Sequence, residues 1–255
     1  MMEVARKQAA KAGAGDILEH LYTTDYAFLR QGRADLLWDD LLVHEKDQTP
    51  DFTAWRNKVT VDLVPPTTRR LLEVGIGMGH AVQRLAERFK ELEIYGTDIS
   101  KESVQHASAE FKGQFAVASL GELPWPQLKF DAVLMLEVLE HVEAPRTFEV
   151  LRWLHSILTE NGFLILSVPL ETVSGLRQSY FLCPHCGKPV HQIGHVRSYS
   201  ELQPIQMELA LSRFRVERMQ GVAGGKYVGI PRQWLMPFFP NHVKPMVMIF
   251  RCKKL

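Results

Sequence analysis

Four groups of residues in this 255-residue chain have types and spacings suited to chemistry. The first is Leu71-Leu72-Glu73-Val74-Gly75-Ile76-Gly77-Met78-Gly79-His80, an apolar run closing on three alternating glycines. Glycines after a strand allow a tight turn and let the backbone approach a ligand closely. A dinucleotide loop would carry its third glycine at position 80, so His80 departs from the pyrophosphate-binding pattern. The second group is Glu93-Ile94-Tyr95-Gly96-Thr97-Asp98-Ile99, a strand-like run ending in an acid. Asp98 follows the glycines at the interval where a carboxylate meets a ribose hydroxyl pair, and a carboxylate accepts from both hydroxyls. The third is Glu137-x-x-Glu140-His141, just past an apolar run from Phe130. His141 and Glu140 are candidates to take a proton from an acceptor hydroxyl; the alternative for His141 is packing or capping the next loop. The fourth is Cys183-x2-Cys186-x4-His191-x3-His195. Two thiolates and two imidazoles make a four-ligand tetrahedral set typical of structural zinc. The alternative is a pair of buried thiols beside surface histidines.

The elements that must position these groups follow from the apolar periodicity. Short apolar runs at Arg70–Val74, Glu93–Thr97, Phe115–Ala118, Asp131–Leu136 and Gly162–Val168 read as strands. Between them His80–Phe89, Lys101–Phe111 and Pro145–Leu158 carry helical spacing. Such alternation means βαβ units and a mostly parallel sheet. Asp16–Leu29, Ala34–Val43 and Phe52–Leu63 predict helices before the Pro65–Pro66 punctuation, a helical cap over residues 1–66 ahead of a core at 67–255. The pattern breaks at 172–199, the segment holding the cysteines, and resumes as a helix near 201–212 and strands at Phe214–Val222 and Met246–Cys252.

Composition excludes several classes. The chain is 46% hydrophobic and 23% charged, as ordinary globular proteins are, so it can bury one sizeable core. A net charge of +1 gives no global attraction to nucleic acid or an anionic membrane. The longest apolar stretch, Phe163–Leu170, is too short to span a bilayer. Three cysteines are too few for a disulfide scaffold, and the expected setting is cytoplasmic with reduced thiols.

From Arg70 to Val168 the chain resembles the class I S-adenosylmethionine-dependent methyltransferases, of the ubiquinone-biosynthesis-like or type 11 kind. Glu73-Val74-Gly75-Ile76-Gly77-Met78-Gly79 is similar to their first motif and Asp98 to the acid after the second strand. Phe115 to Trp125 resembles the segment facing the adenine, with Ser119 where the family usually has Asp. Phe130 to Val142 is similar to the fourth motif. The resemblance implies a Rossmann-like α/β fold with about seven strands and helices on both faces. It implies that Glu73, Gly75, Gly77, Gly79, Asp98, Ile99, Ser119, Leu120, Leu136 and Glu137 bind S-adenosyl-L-methionine. In quinone-biosynthesis O-methyltransferases and small-RNA 3′-end methyltransferases, residues matching Glu137, Glu140 and His141 bind a divalent metal, which makes Mg²⁺ a second candidate ion. Some methyltransferases also carry a Cys-x-x-Cys-Gly…His…Gly-His-x-Arg segment similar to 183–197.

The expected protein is therefore an S-adenosylmethionine-dependent methyltransferase acting on a small molecule or biosynthetic intermediate, with oxygen favoured. The insert becomes a zinc-ordered lid over the acceptor, with Arg197 and Tyr199 as candidates to line it; for Arg197 a helix-start surface charge is the alternative. Two other classes compete: a nicotinamide-dependent oxidoreductase, which shares the fold, and a non-catalytic zinc-containing RNA-binding module.

Overall fold

The computed structural model describes residues 51–170, 180–182, 189–191, 194–223, 226–228 and 247–255. Helix α1 (Asp51–Leu63) leads into β1 (Arg70–Val74), α2 (His80–Arg88), β2 (Glu93–Asp98), α3 (Lys101–Glu110), β3 (Gln114–Val117) and β4 (Phe130–Leu136). A 3₁₀ turn at Leu139–His141 precedes α4 (Ala144–Ile157) and β5 (Leu158–Pro169). The insert holds β6 (Tyr180–Leu182) and β7 (Pro189–His191), paired as a small antiparallel ribbon. Then come α5 (Leu202–Leu211), β8 (Phe214–Ala223), β9 (Lys226–Val228) and β10 (Val247–Lys254).

The main sheet has the order β3-β2-β1-β4-β5-β10-β8-β9. Strands β3, β2, β1, β4 and β5 run parallel, and β10 enters antiparallel between β5 and β8. This is the mostly parallel sheet that the alternation implies and the Rossmann-like α/β arrangement that the resemblance implies, with the three-residue β9 added at the outer edge.

Alternation along each central strand feeds two cores, because successive side chains face opposite sides. On β4, Val133 and Met135 join Leu72, Leu166 and Phe250 against Leu151 and Leu154 of α4 and Ile205 and Leu209 of α5. Ala132, Leu134 and Leu136 join Leu71, Ile94 and Ile165 against Val59 of α1 and Val82 and Leu85 of α2. These strands are buried on both faces, as parallel strands under helices must be.

Two details depart from the sequence expectation. Strand β5 begins at Leu158 rather than Gly162, since Phe130 pairs with Leu158 before the register shifts at Ala132. Its first turn carries Thr159, Glu160 and Asn161, polar residues with no strand periodicity. The insert is closed where Leu170 and Tyr199 form a parallel bridge. Of the expected N-terminal helices, Phe52–Leu63 matches α1, whereas Asp16–Leu29 and Ala34–Val43 lie outside the described residues. No helix among the described residues is long and apolar enough to cross a membrane.

Candidate active site at the carboxyl edge of the sheet

Strands β1 and β4 are neighbours whose following strands lie on opposite sides, β2 beyond β1 and β5 beyond β4. Ligands in open α/β sheets bind outside the carboxyl ends of the strands at such a reversal. Here those ends carry Gly75 and Glu137.

The loop after β1 turns through left-handed backbone at Gly77, φ 47°. A Cβ at Gly75 would run into Val138 and one at Gly79 into the Phe111 ring, so those two glycines serve packing. A Cβ at Gly77 would meet nothing within 4 Å. The protein thus leaves open the space over that one glycine, and this is the cradle a bound molecule would fill.

Asp98 completes the cradle. The Gly77 amide donates to its Oδ2 and the Ser100 amide to its Oδ1, both at 2.9 Å. Two backbone amides thus orient the carboxylate. Ile99 beside it is half-buried. The Ala118 amide donates to the Asp98 carbonyl at 3.0 Å, which brings the end of β3 alongside. There Ser119 is exposed, with its amide donating to Glu122 Oε2 at 2.9 Å, and Leu120 packs on the core. Glu73 is buried under the loop, and burial lifts its carboxyl to about 8, opposed by the charge of Arg56 on α1.

On the other side of the reversal, Leu136 is buried and Glu137 takes a left-handed φ of 54°, uncommon for a residue with a side chain. The Glu137 amide donates to the Ser167 carbonyl at 3.2 Å and to its Oγ at 3.1 Å. The Ser167 hydroxyl in turn donates to Glu137 Oε1 at 2.6 Å. Burial raises the Glu137 carboxyl above its ordinary range, with Arg56, Ser167 and His195 opposing. Ser167 and Arg56 are absent from the sequence-based set. A single serine within the apolar run of β5 is the only sign of the former.

The 3₁₀ turn then presents Glu140 and His141. Glu140 is fully buried, and its carbonyl accepts from the amides of Val196 and Arg197 at 3.0 and 3.3 Å. His141 Nδ1 lies 3.2 Å from the Gly194 carbonyl, which can only accept, so the proton sits on Nδ1 and the lone pair on Nε2. Burial, with neighbouring His195, presses the His141 imidazole down to about 4. His195 Nε2 is 3.9 Å from Glu140 Oε1. Its ring crosses His141 at 4.9 Å between centroids and stacks on His191 at 4.1 Å. The His195 amide donates to His191 Nδ1 at 3.3 Å.

The structure therefore brings together two groups that the sequence treats separately: Glu140 and His141 of the turn, and His191 and His195 of the insert. Cys183 and Cys186 lie outside the described residues. Arg197 is not a helix-start surface charge, since it is largely buried and paired. Its guanidinium donates to Thr147 Oγ1 at 2.6 Å and Glu208 Oε2 at 2.7 Å and lies over the Tyr199 ring. Tyr199 is buried and donates to the same Glu208 oxygen at 3.0 Å.

Comparison with known proteins agrees with this geometry. Residues 71–162 match the family model described as a methyltransferase domain. Over 104 residues the chain is 32% identical to the 27-O-demethylrifamycin SV methyltransferase of Amycolatopsis mediterranei (strain S699), a match covering 38% of this chain and 37% of that protein's length. A SAM-dependent methyltransferase from Archaeoglobus fulgidus superposes with a TM-score of 0.57 at 18% identity, covering 90% of this chain and all (100%) of the other. The N-methyltransferase NodS of Bradyrhizobium japonicum WM9, in complex with S-adenosyl-L-homocysteine, superposes with a TM-score of 0.56 at 14% identity, covering 82% and 89%. The chain has the Rossmann-like fold of the class I methyltransferases, with a methyltransferase domain matched from its first strand into its fifth.

Proposed function

We propose that the protein is an S-adenosylmethionine-dependent methyltransferase that methylates an oxygen of a small molecule or biosynthetic intermediate. One observation carries the cofactor assignment: the open space over Gly77, beside an Asp98 carboxylate fixed by two backbone amides. Asp98 would accept from the ribose hydroxyls, the 75–79 loop and Glu73 would flank the amino-acid end, and Ser119 and Leu120 would face the base. The bound cofactor supplies a methyl group on a sulfonium, so the protein's work is positioning.

The oxygen preference rests on His141 and Glu140, which stand past β4 on the acceptor side, and is supported by the O-demethyl substrate in the name of the rifamycin relative. His141 presents its Nε2 lone pair and would take up the hydroxyl proton. A zinc clip of Cys183, Cys186, His191 and His195 ordering the 172–199 lid belongs to the same reading. The nicotinamide reading has little support, because position 80 is the first residue of α2 and holds histidine.

Calorimetric titration with S-adenosylhomocysteine is the direct test. Saturable binding is expected, abolished in Gly77→Val while the circular dichroism of the fold is retained. Incubation of acceptor pools with methyl-labelled cofactor should then yield an ether or ester product by mass analysis. Binding of a nicotinamide dinucleotide in place of S-adenosylhomocysteine, or labelled product carrying the methyl on nitrogen, would overturn the corresponding part of the assignment.

A further inference from the structure

We propose, on the S-adenosylmethionine reading above, that Glu122 recognises the exocyclic amine of the cofactor's base and so supplies the carboxylate that position 119 lacks. The observation behind it is a hydrogen bond used by neither the glycine loop nor the acceptor side. The Ser119 amide donates to Glu122 Oε2 at 2.9 Å.

The place of this carboxylate follows from the sheet. Strands β2 and β3 pair up to Asp98 and Val117, and the Asp98 carbonyl accepts from the Ala118 amide at 3.0 Å. Neighbouring strands lie about 4.8 Å apart. A nucleoside whose ribose hydroxyls meet Asp98 therefore has the end of β3 within reach of its base. The other neighbour of β2 is β1, whose end carries the 75–79 loop, so the base belongs on the β3 side. There residues Ser119 to Glu122 form a turn, closed by the Glu122 amide on the Ser119 carbonyl at 3.0 Å. Gly121 has φ 98°, the left-handed kind of value that the third residue of a type II turn requires. A Cβ there would meet nothing within 4 Å, so the outer surface of the turn is clear. Leu120, Leu123 and Trp125 anchor it from below by packing on the core.

The Ser-x-x-Glu spacing of this turn is that of a helix cap, in which the glutamate reaches back to the first amide. No helix follows here, and the next element is β4 at Phe130. The reach-back bond thus holds a carboxylate in place without capping anything. Glu122 is exposed, so that carboxylate stays open to a ligand. Donor and acceptor chemistry then separates the glutamate from the serine. Adenine presents an amine, which donates, whereas purines with an oxygen at that position accept. A hydroxyl both donates and accepts, so Ser119 would serve either kind of ring. A carboxylate only accepts, so Glu122 favours the amine.

The test is calorimetric titration of the full chain with S-adenosylhomocysteine and with its analogue carrying purine in place of adenine, which lacks only the exocyclic amine. The wild type should bind S-adenosylhomocysteine about tenfold more tightly than the analogue, the order that a hydrogen bond to a charged group supplies. Glu122→Ala should lose about tenfold toward S-adenosylhomocysteine and stay within about twofold of the wild type toward the analogue. Glu122→Gln, whose amide oxygen still accepts, should fall in between. A glutamate that only held the turn would, on removal, weaken both ligands equally, so the split between them reads base recognition. Analogue binding also verifies that each variant is folded. Equal binding of the two ligands by the wild type overturns the proposal, as does a Glu122→Ala variant that keeps the preference or weakens both ligands alike. Each of these results leaves S-adenosylhomocysteine bound to the wild type and the methyltransferase assignment standing. A wild type that binds neither ligand overturns both.

Discussion

Glu73 is a carboxyl group placed where water does not reach, between the aliphatic residues Leu72 and Val74 of a buried strand. Burial holds its pKa at about 8, far above the unfolded value of about 4.5. Between those values the folded chain keeps a proton that the unfolded chain has lost. The stability associated with that proton is complete below about pH 4.5 and drains away as the pH rises toward 8. The cofactor-free protein should therefore lose stability across this window, and Glu73→Gln should flatten the profile. Urea unfolding of both proteins at a series of pH values measures it, and parallel profiles would contradict the assignment. Glu137 shifts in the same direction, so the comparison of variant with wild type isolates the Glu73 share. At this scale the Gly77 amide bonds to the Asp98 carboxylate, and this meeting of the acid with the glycine loop is legible from spacing. Arg56 and Ser167 are not, since an arginine on a helix and a serine in a strand have many uses and only the packing of α1 and β5 against the loop reveals this one.

Among the elements, the strand and helix alternation from β1 to β5 is legible because short, doubly buried strands and amphipathic helices differ in period. The entry to β5 is hidden by its polar first turn, and the β6–β7 ribbon by strands of three residues, too short to show a period. Arg197 illustrates a contact invisible to any local pattern. It joins α4, through Thr147, to α5, through Glu208, from the segment that leaves the insert. Both members of its ion pair are largely buried, at 13% and 19% exposure. Removing one partner from such a pair leaves an uncompensated charge. Arg197→Ala should cost about 2–4 kcal/mol, and Arg197→Lys should recover only part of this because an ammonium lacks the planar fork. Denaturant midpoints of the two variants give the comparison. Because the Arg197 amide is also bonded to Glu140, both variants should depress acceptor turnover more than cofactor affinity.

Taken as a whole molecule, the chain divides its tasks between the two ends of β5. The β1–β4 reversal sets the candidate cofactor cradle, and the described exit of the insert meets its far side where the Val196 and Arg197 amides bond to Glu140. The parallel bridge between Leu170 and Tyr199 fixes where the chain leaves the sheet and where it returns. An excursion pinned at both ends is thermodynamically tolerant, since each doubling of a flexible loop's length adds only about 0.6 kcal/mol of closure cost. Replacing residues 172–190 by a glycine–serine linker should leave S-adenosylhomocysteine binding close to wild type and abolish turnover of the native acceptor; loss of both would show that the insert supports the sheet as well. The bridge thus acts as a graft junction. A lineage carrying it can exchange, lengthen or shorten the intervening segment while the same sheet goes on binding the same nucleoside, and substrate range can drift without the fold having to be re-evolved.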